Sequence, residues 1–122
     1  MNKKEIARER RRQRRFEALG TNSPRCICGE DDPCCLELHE PGGREFCDLS
    51  VIVCRNCHRK LEDDRKDHPS RLSKPPTNLE SIAHSLLGLA DFLERLVEQL
   101  RIWAEALLDA ARNAPAMAGA KP

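Results

Sequence analysis

LELHEPGGREFCDLSVIVCRNCHRKLED, residues 36–63, carries the decision about the fold. It holds His39, Cys54, Cys57 and His58, all residue types that bind metals, and Glu40 follows His39 directly. In CRNCH (residues 54–58), two thiolates two residues apart can chelate one ion from a knuckle turn. A tetrahedral structural site needs a second pair. RCICGE (residues 25–30) offers Cys26 and Cys28, with Gly29 permitting the tight backbone turn. The expected zinc ligands are therefore Cys26, Cys28, Cys54 and Cys57. Cys34 or Cys35 is the alternative to Cys26 or Cys28, and Cys47 is left over as a small buried residue.

Outward from the knuckles, CCLELHE alternates in the manner of a strand and PGG turns the chain. DLSVIVC is a second, more apolar strand, and RNCHRKLEDDRKDH begins a helix. The order is knuckle, hairpin, knuckle, helix. His39 on the first strand and His58 at the helix start are not needed by four cysteines. They can face each other across the fold and hold a second ion.

With LELHE, VIVCRNCH and the glycine turn in view, residues 25–68 resemble the HNH endonucleases. The fold this implies is small α+β: a zinc-stapled ββα-metal (treble-clef, HNH-like) core carrying a basic N-terminal helix and a long C-terminal amphipathic helix. In that family the first strand usually carries His-His or Asp-His, one residue binding the catalytic divalent metal and the next acting as general base. A further His after the second knuckle completes the metal site. The resemblance thus implies that His39 and His58 are metal ligands for Mg, Mn, Ni or Zn and that Glu40 occupies the base position. Two departures stand out. Glu40 replaces the usual His, and Asp48, Leu49 and Ser50 stand where the family's Asn precedes the second strand. A carboxylate titrating ordinarily at about 4.3 is a weak base at neutral pH, so the expected site keeps its metal ligands and has an altered base.

The 122-residue chain supports one small domain with extensions. Aromatic residues are only 3% of it, so a large aromatic core is excluded and a metal staple is needed. Residues 1–24 form a basic extension, read as a charged helix ending at Gly20, in which Lys3, Lys4, Arg8, Arg10, Arg11, Arg12, Arg14 and Arg15 suit contact with the phosphates of DNA. Residues 25–69 are the zinc-binding domain and residues 70–77 a polar, proline-containing linker. Thr77 and Glu80 fit a capping box that opens a helix over residues 78–114, followed by a tail at 115–122. Leu79, Ile82, Leu86, Leu89, Leu93, Leu96, Leu100, Trp103 and Leu107 recur with alternating spacings of three and four, a heptad seam. Ala83, Ala90, Val97 and Ala104 widen it, a face suited to close helix packing in a homo-oligomer or against a partner protein through residues 78–113. Folding back onto its own domain is the alternative. His68 either ends a helix at the surface or reaches back as a third ligand, and His84 is expected to be solvated.

No apolar run is long enough for a membrane, and the N-terminus lacks a signal peptide's apolar stretch. Cysteine clusters in a reducing compartment bind metal more often than they form disulfides, so a cytoplasmic, intracellular protein is expected. Three functions compete: an HNH-type endonuclease acting on DNA through His39, Glu40 and His58; a non-catalytic zinc adaptor that binds nucleic acid and assembles through its C-terminal helix; and a zinc-stapled oligomerisation protein without a nucleic-acid role.

Overall fold

The computed structural model describes residues 1–43 and 48–115, so Cys47 and the tail beyond Pro115 lie outside the described residues. The architecture is small α+β. Helix α1 (Lys3–Leu19) is followed by a single 3-10 turn (Pro33–Cys35), strand β1 (Leu36–His39), strand β2 (Val51–Cys54), helix α2 (Arg55–Arg65) and the long helix α3 (Asn78–Asn113). No helix among the described residues is long and apolar enough to cross a membrane.

The hairpin sets everything else. β1 and β2 pair antiparallel, with Leu36 opposite Cys54 and His39 opposite Val51. Side chains alternate along a strand, so Glu37 and His39 share one face and Leu36 and Leu38 the other. β2 delivers Cys54 straight into the N-cap of α2, where its sulfur accepts the Cys57 amide at 3.4 Å. The second knuckle is thus the strand-to-helix junction itself.

The buried core is Leu19, Cys26, Leu36, Val53, Cys54, Cys57 and Leu61. Cysteine side chains supply nearly half of those positions, so apolar burial alone is slight and the sulfur cluster carries much of the centre. α1 ends at Gly20 and begins with a capping box between Asn2 and Glu5. It is anchored at its last turn: Leu19 enters the core, and the Arg15 guanidinium donates to the carbonyls of Pro33 (3.1 Å) and Leu36 (2.5 Å).

α3 spans 36 residues, about 54 Å at 1.5 Å per residue. Thr77 caps it by accepting the Glu80 amide, but the Glu80 carboxylate turns to the Ser73 hydroxyl at 3.1 Å, so only half of the expected capping box forms. The helix does fold back on its own domain, chiefly with a face beside the heptad seam. Phe92 packs on the core, Arg95 grips Asp64 through two hydrogen bonds of 2.9 and 2.7 Å, and Asp91 binds His68 at 2.5 Å. Gly88 lies against the Pro41 carbonyl so closely that an added Cβ would sit 1.9 Å from its oxygen. Ser85 donates to the neighbouring Gly42 carbonyl. Meanwhile Leu79, Ile82, Leu86, Leu93, Leu100, Trp103 and Leu107 of the seam remain exposed, and from Leu100 onward every described residue is exposed.

Candidate metal centre

Cys26, Cys28, Cys54 and Cys57 come together, with all four sulfurs within 4.8 Å of one another. The Cys28 and Cys54 sulfurs are 3.7 Å apart. Four sulfurs at the vertices of a tetrahedron with zinc–sulfur bonds near 2.3 Å would be separated by about 3.8 Å. The first pair closes despite its one-residue spacing because the Cys26 carbonyl accepts the Gly29 amide at 2.9 Å and Gly29 adopts φ +99°, a conformation other residues rarely take. A tight turn replaces the extra residue of the usual spacing.

The electrostatics of the cluster ask for a cation. Burial pushes the Cys57 thiol far up, and its neighbouring sulfurs push it further. Cys26 is raised, again chiefly by burial. Burial also opposes ionisation of Cys54, but the Cys57 amide and the surrounding thiols hydrogen-bond to it strongly enough to hold its pKa below the ordinary value. Without a cation, Cys54 ionises more readily than Cys57. A divalent ion removes that conflict by neutralising charge at all four sulfurs. The donor set is compatible with structural zinc.

Cys34 and Cys35 are exposed and stand apart from the four-sulfur cluster. Cys35 instead lies with Glu30 and Asp32 on a surface turn, where Asp32 accepts the Cys34 amide and Glu30 the Asp32 amide, both at 3.0 Å.

His39 and His58 meet across the fold, their ring centroids 4.8 Å apart and the planes tilted by 54°. His39 is only 6% exposed. Burial lowers its pKa, and the charges of His58 and Arg65 lower it further, which favours the neutral imidazole that binds metals. His58 is held between two carboxylates: Glu37 Oε1 lies 2.8 Å from Nδ1 and Glu62 Oε1 lies 3.3 Å from Nε2. An ionised carboxylate only accepts, so Glu37 places the proton on Nδ1. Nε2 faces the Glu62 carboxylate, so both ring nitrogens of His58 have a carboxylate partner. Glu40 is half-buried next to this pair, and its carbonyl accepts the Gly43 amide at 3.1 Å.

Glu37 and Glu62 were not among the residues singled out from the sequence. Their signals are present in it: Glu37 is two residues from His39, on one strand face, and Glu62 is four from His58, on one helix face. His68 and His84 lie elsewhere, ring centroids 6.3 Å apart, near the end of α2 and the start of α3. His84 is half-buried rather than fully solvated. In the basic arm, Arg15 is committed to the two carbonyls that dock α1, and Arg12 lies 5.3 Å from the Phe16 ring centroid. Lys3, Lys4, Arg8, Arg10, Arg11, Arg12 and Arg14 are exposed.

Comparison with known protein families, curated proteins and solved structures gives no match.

Proposed function

We propose that this chain is an HNH-like, metal-dependent endonuclease acting on DNA phosphodiesters, with a zinc-stapled treble-clef core and an altered base. The observation that carries this reading is the meeting of His39 and His58. They are 19 positions apart in the chain, are the two residues the resemblance names as metal ligands, and lie with ring centroids 4.8 Å apart. Both imidazoles are metal-binding groups and Glu37 orients His58, although among the described residues no third Cys, His, Asp or Glu closes a ligand group around the pair. When bound, a divalent cation supplies Lewis-acid stabilisation of the charge that builds on a phosphodiester under attack. Glu40 stands in the base position and takes a proton from water less readily than imidazole does. The exposed cations of α1 supply sequence-independent attraction to the backbone.

A second reading is favoured by one specific observation: both ring nitrogens of His58 have carboxylate partners. As a bridging imidazolium, His58 would be a structural tie, and the chain a non-catalytic nucleic-acid adaptor. Supercoiled plasmid incubated with the protein and Mg²⁺, Mn²⁺ or Ni²⁺ distinguishes them. Nicking by wild type that is lost in His39→Ala and His58→Ala supports the endonuclease. DNA binding without nicking under any of these metals supports the adaptor.

The same proposal extends to assembly. Most of the seam of α3 is exposed, with Leu89 and Leu96 half-buried, and Ala83, Ala90, Val97 and Ala104 border it. That pattern suits a second copy of the same helix, because identical seams interdigitate at matching intervals. A monomer by analytical ultracentrifugation at micromolar concentration would overturn this part.

A further inference from the structure

A cleft of about 400 Å³ lies between the hairpin turn, the end of α2, the segment that follows it and the first turns of α3. Arg65, Arg71, His68 and His84 line it, together with the hydroxyl residues Ser81 and Ser85. No Asp or Glu is among the described residues that line it. Of the nearest acids on α3, Asp91 is bonded to the lining residue His68, and Glu80 is bonded through one oxygen to Ser73 while its other oxygen is buried with no partner among the described residues. Ser85 donates to the Gly42 carbonyl and so ties the cleft wall together. Ser81 is the telling residue. It is 3% exposed, and its hydroxyl has no hydrogen-bond partner among the described residues. A buried hydroxyl left without a partner is unfavourable, so a ligand atom that engages it would recover that loss.

We propose that this cleft is a phosphate-binding subsite for a nucleic-acid backbone, with Arg65 and Arg71 supplying charge and Ser81 and His84 directing hydrogen bonds to the phosphate oxygens. This rests on the reading of the chain as a DNA-binding protein. Guanidinium groups recognise phosphate through paired donors, and two of them stand at this cleft. The cleft opens to solvent along the surface, which suits a chain of phosphodiesters better than an enclosed small molecule. Its position also fits. The turn at Pro41 and Gly42 that forms one wall follows directly on His39 and Glu40.

The test uses the full zinc-loaded chain and two probes, a 12-base-pair DNA duplex and pyrophosphate. Duplex affinity is read by fluorescence anisotropy at several salt concentrations, and pyrophosphate by amide shifts in an NMR titration. Arg65→Gln with Arg71→Gln is compared with Arg8→Gln with Arg11→Gln on α1. Zinc content and circular dichroism confirm that each variant is folded. If two phosphate contacts are lost with the cleft arginines, the slope of log K against log salt flattens by about 1.8. Ser81→Ala weakens pyrophosphate binding at unchanged fold. Amide shifts at Ser81, His84 and Arg71 with both probes support the proposal. Duplex binding with an unchanged slope in the cleft variant overturns the subsite and leaves the DNA reading standing. Pyrophosphate shifts without any duplex binding overturn the DNA reading and leave a free-phosphate site. Neither probe shifting the cleft overturns the proposal outright.

Discussion

Replacing Gly88 by alanine sets two physical effects of opposite sign against each other. By helix propensity, alanine in a helix interior is better than glycine by about 1 kcal/mol. Position 88 lies eleven residues into α3, well clear of both ends, so propensity alone makes Gly88→Ala stabilising. The tertiary structure reverses the sign. The new Cβ would stand 1.9 Å from the Pro41 carbonyl oxygen and 3.1 Å from its carbon, and both belong to backbone rather than to a flexible side chain. Helix and hairpin must separate by about 1.5 Å to restore ordinary contact, and overpacking of that kind typically costs about 1–3 kcal/mol. The Ser85–Gly42 hydrogen bond lies one turn away and is lost with the separation, at about 1 kcal/mol. The net expectation is a destabilisation of about 1–3 kcal/mol after the propensity gain is subtracted. At an m value of about 1–2 kcal/mol/M, a loss of about 2 kcal/mol lowers the urea midpoint by about 1–2 M. The assay is urea unfolding of zinc-loaded protein, followed by circular dichroism and by the fluorescence of Trp103, the chain's only tryptophan, whose ring lies beside Gly29 of the first knuckle. A midpoint equal to or above wild type would refute the docking of α3 on the hairpin.

Three further outcomes follow from the site. Chelation of the bound metal, or Cys54→Ser, should unfold the central domain, because cysteines form so much of its core and Cys54 also caps α2; far-UV circular dichroism with zinc analysis checks this, and a folded metal-free core would refute it. Glu40→His should raise plasmid nicking, by up to about 10²–10⁴-fold if base strength is the whole deficit, since free imidazole titrates at about 6.5; an active wild type that exceeds this variant would make Glu40 the working base. His39 has a folded pKa below its unfolded value, so its neutral form contributes stability that is complete above about 6.5 and is lost as pH falls toward the folded pKa. The stability difference between wild type and His39→Gln should therefore shrink on acidification below about 6.5, and a difference constant with pH would show that His39 is not held neutral.

The local parts of this structure were legible because local chemistry decides them. The alternation in CCLELHE and DLSVIVC gave the hairpin, Cys-x-x-Cys gave the strand-to-helix knuckle, and the period of three and four gave α3. The one-residue spacing of Cys26 and Cys28 was readable only because Gly29 follows and can take the required turn. What escaped were pairings between distant segments. Arg15 reads as one more cation of a basic arm, yet two carbonyls lie at its guanidinium once α1 docks. Gly88 reads as a weak point in a helix, and its reason is the Pro41 carbonyl 47 positions away. The docked face of α3, with Ser81, Gly88, Phe92 and Arg95, is small or polar in most positions, so the apolar seam beside it dominated the sequence pattern. His68 and His84 carried no motif, and only the fold gives them a shared cleft.

The division of labour between four sulfurs and two imidazoles is tested most directly by zinc-edge X-ray absorption on the tag-free protein carrying one zinc per chain. Four sulfur neighbours at about 2.3 Å, with no nitrogen in the first shell, are expected if Cys26, Cys28, Cys54 and Cys57 close the structural site and leave His39 and His58 to a second cation. A shell of two sulfurs and two nitrogens at about 2.0–2.1 Å would contradict this, because the histidines would then be ligands of the structural zinc itself.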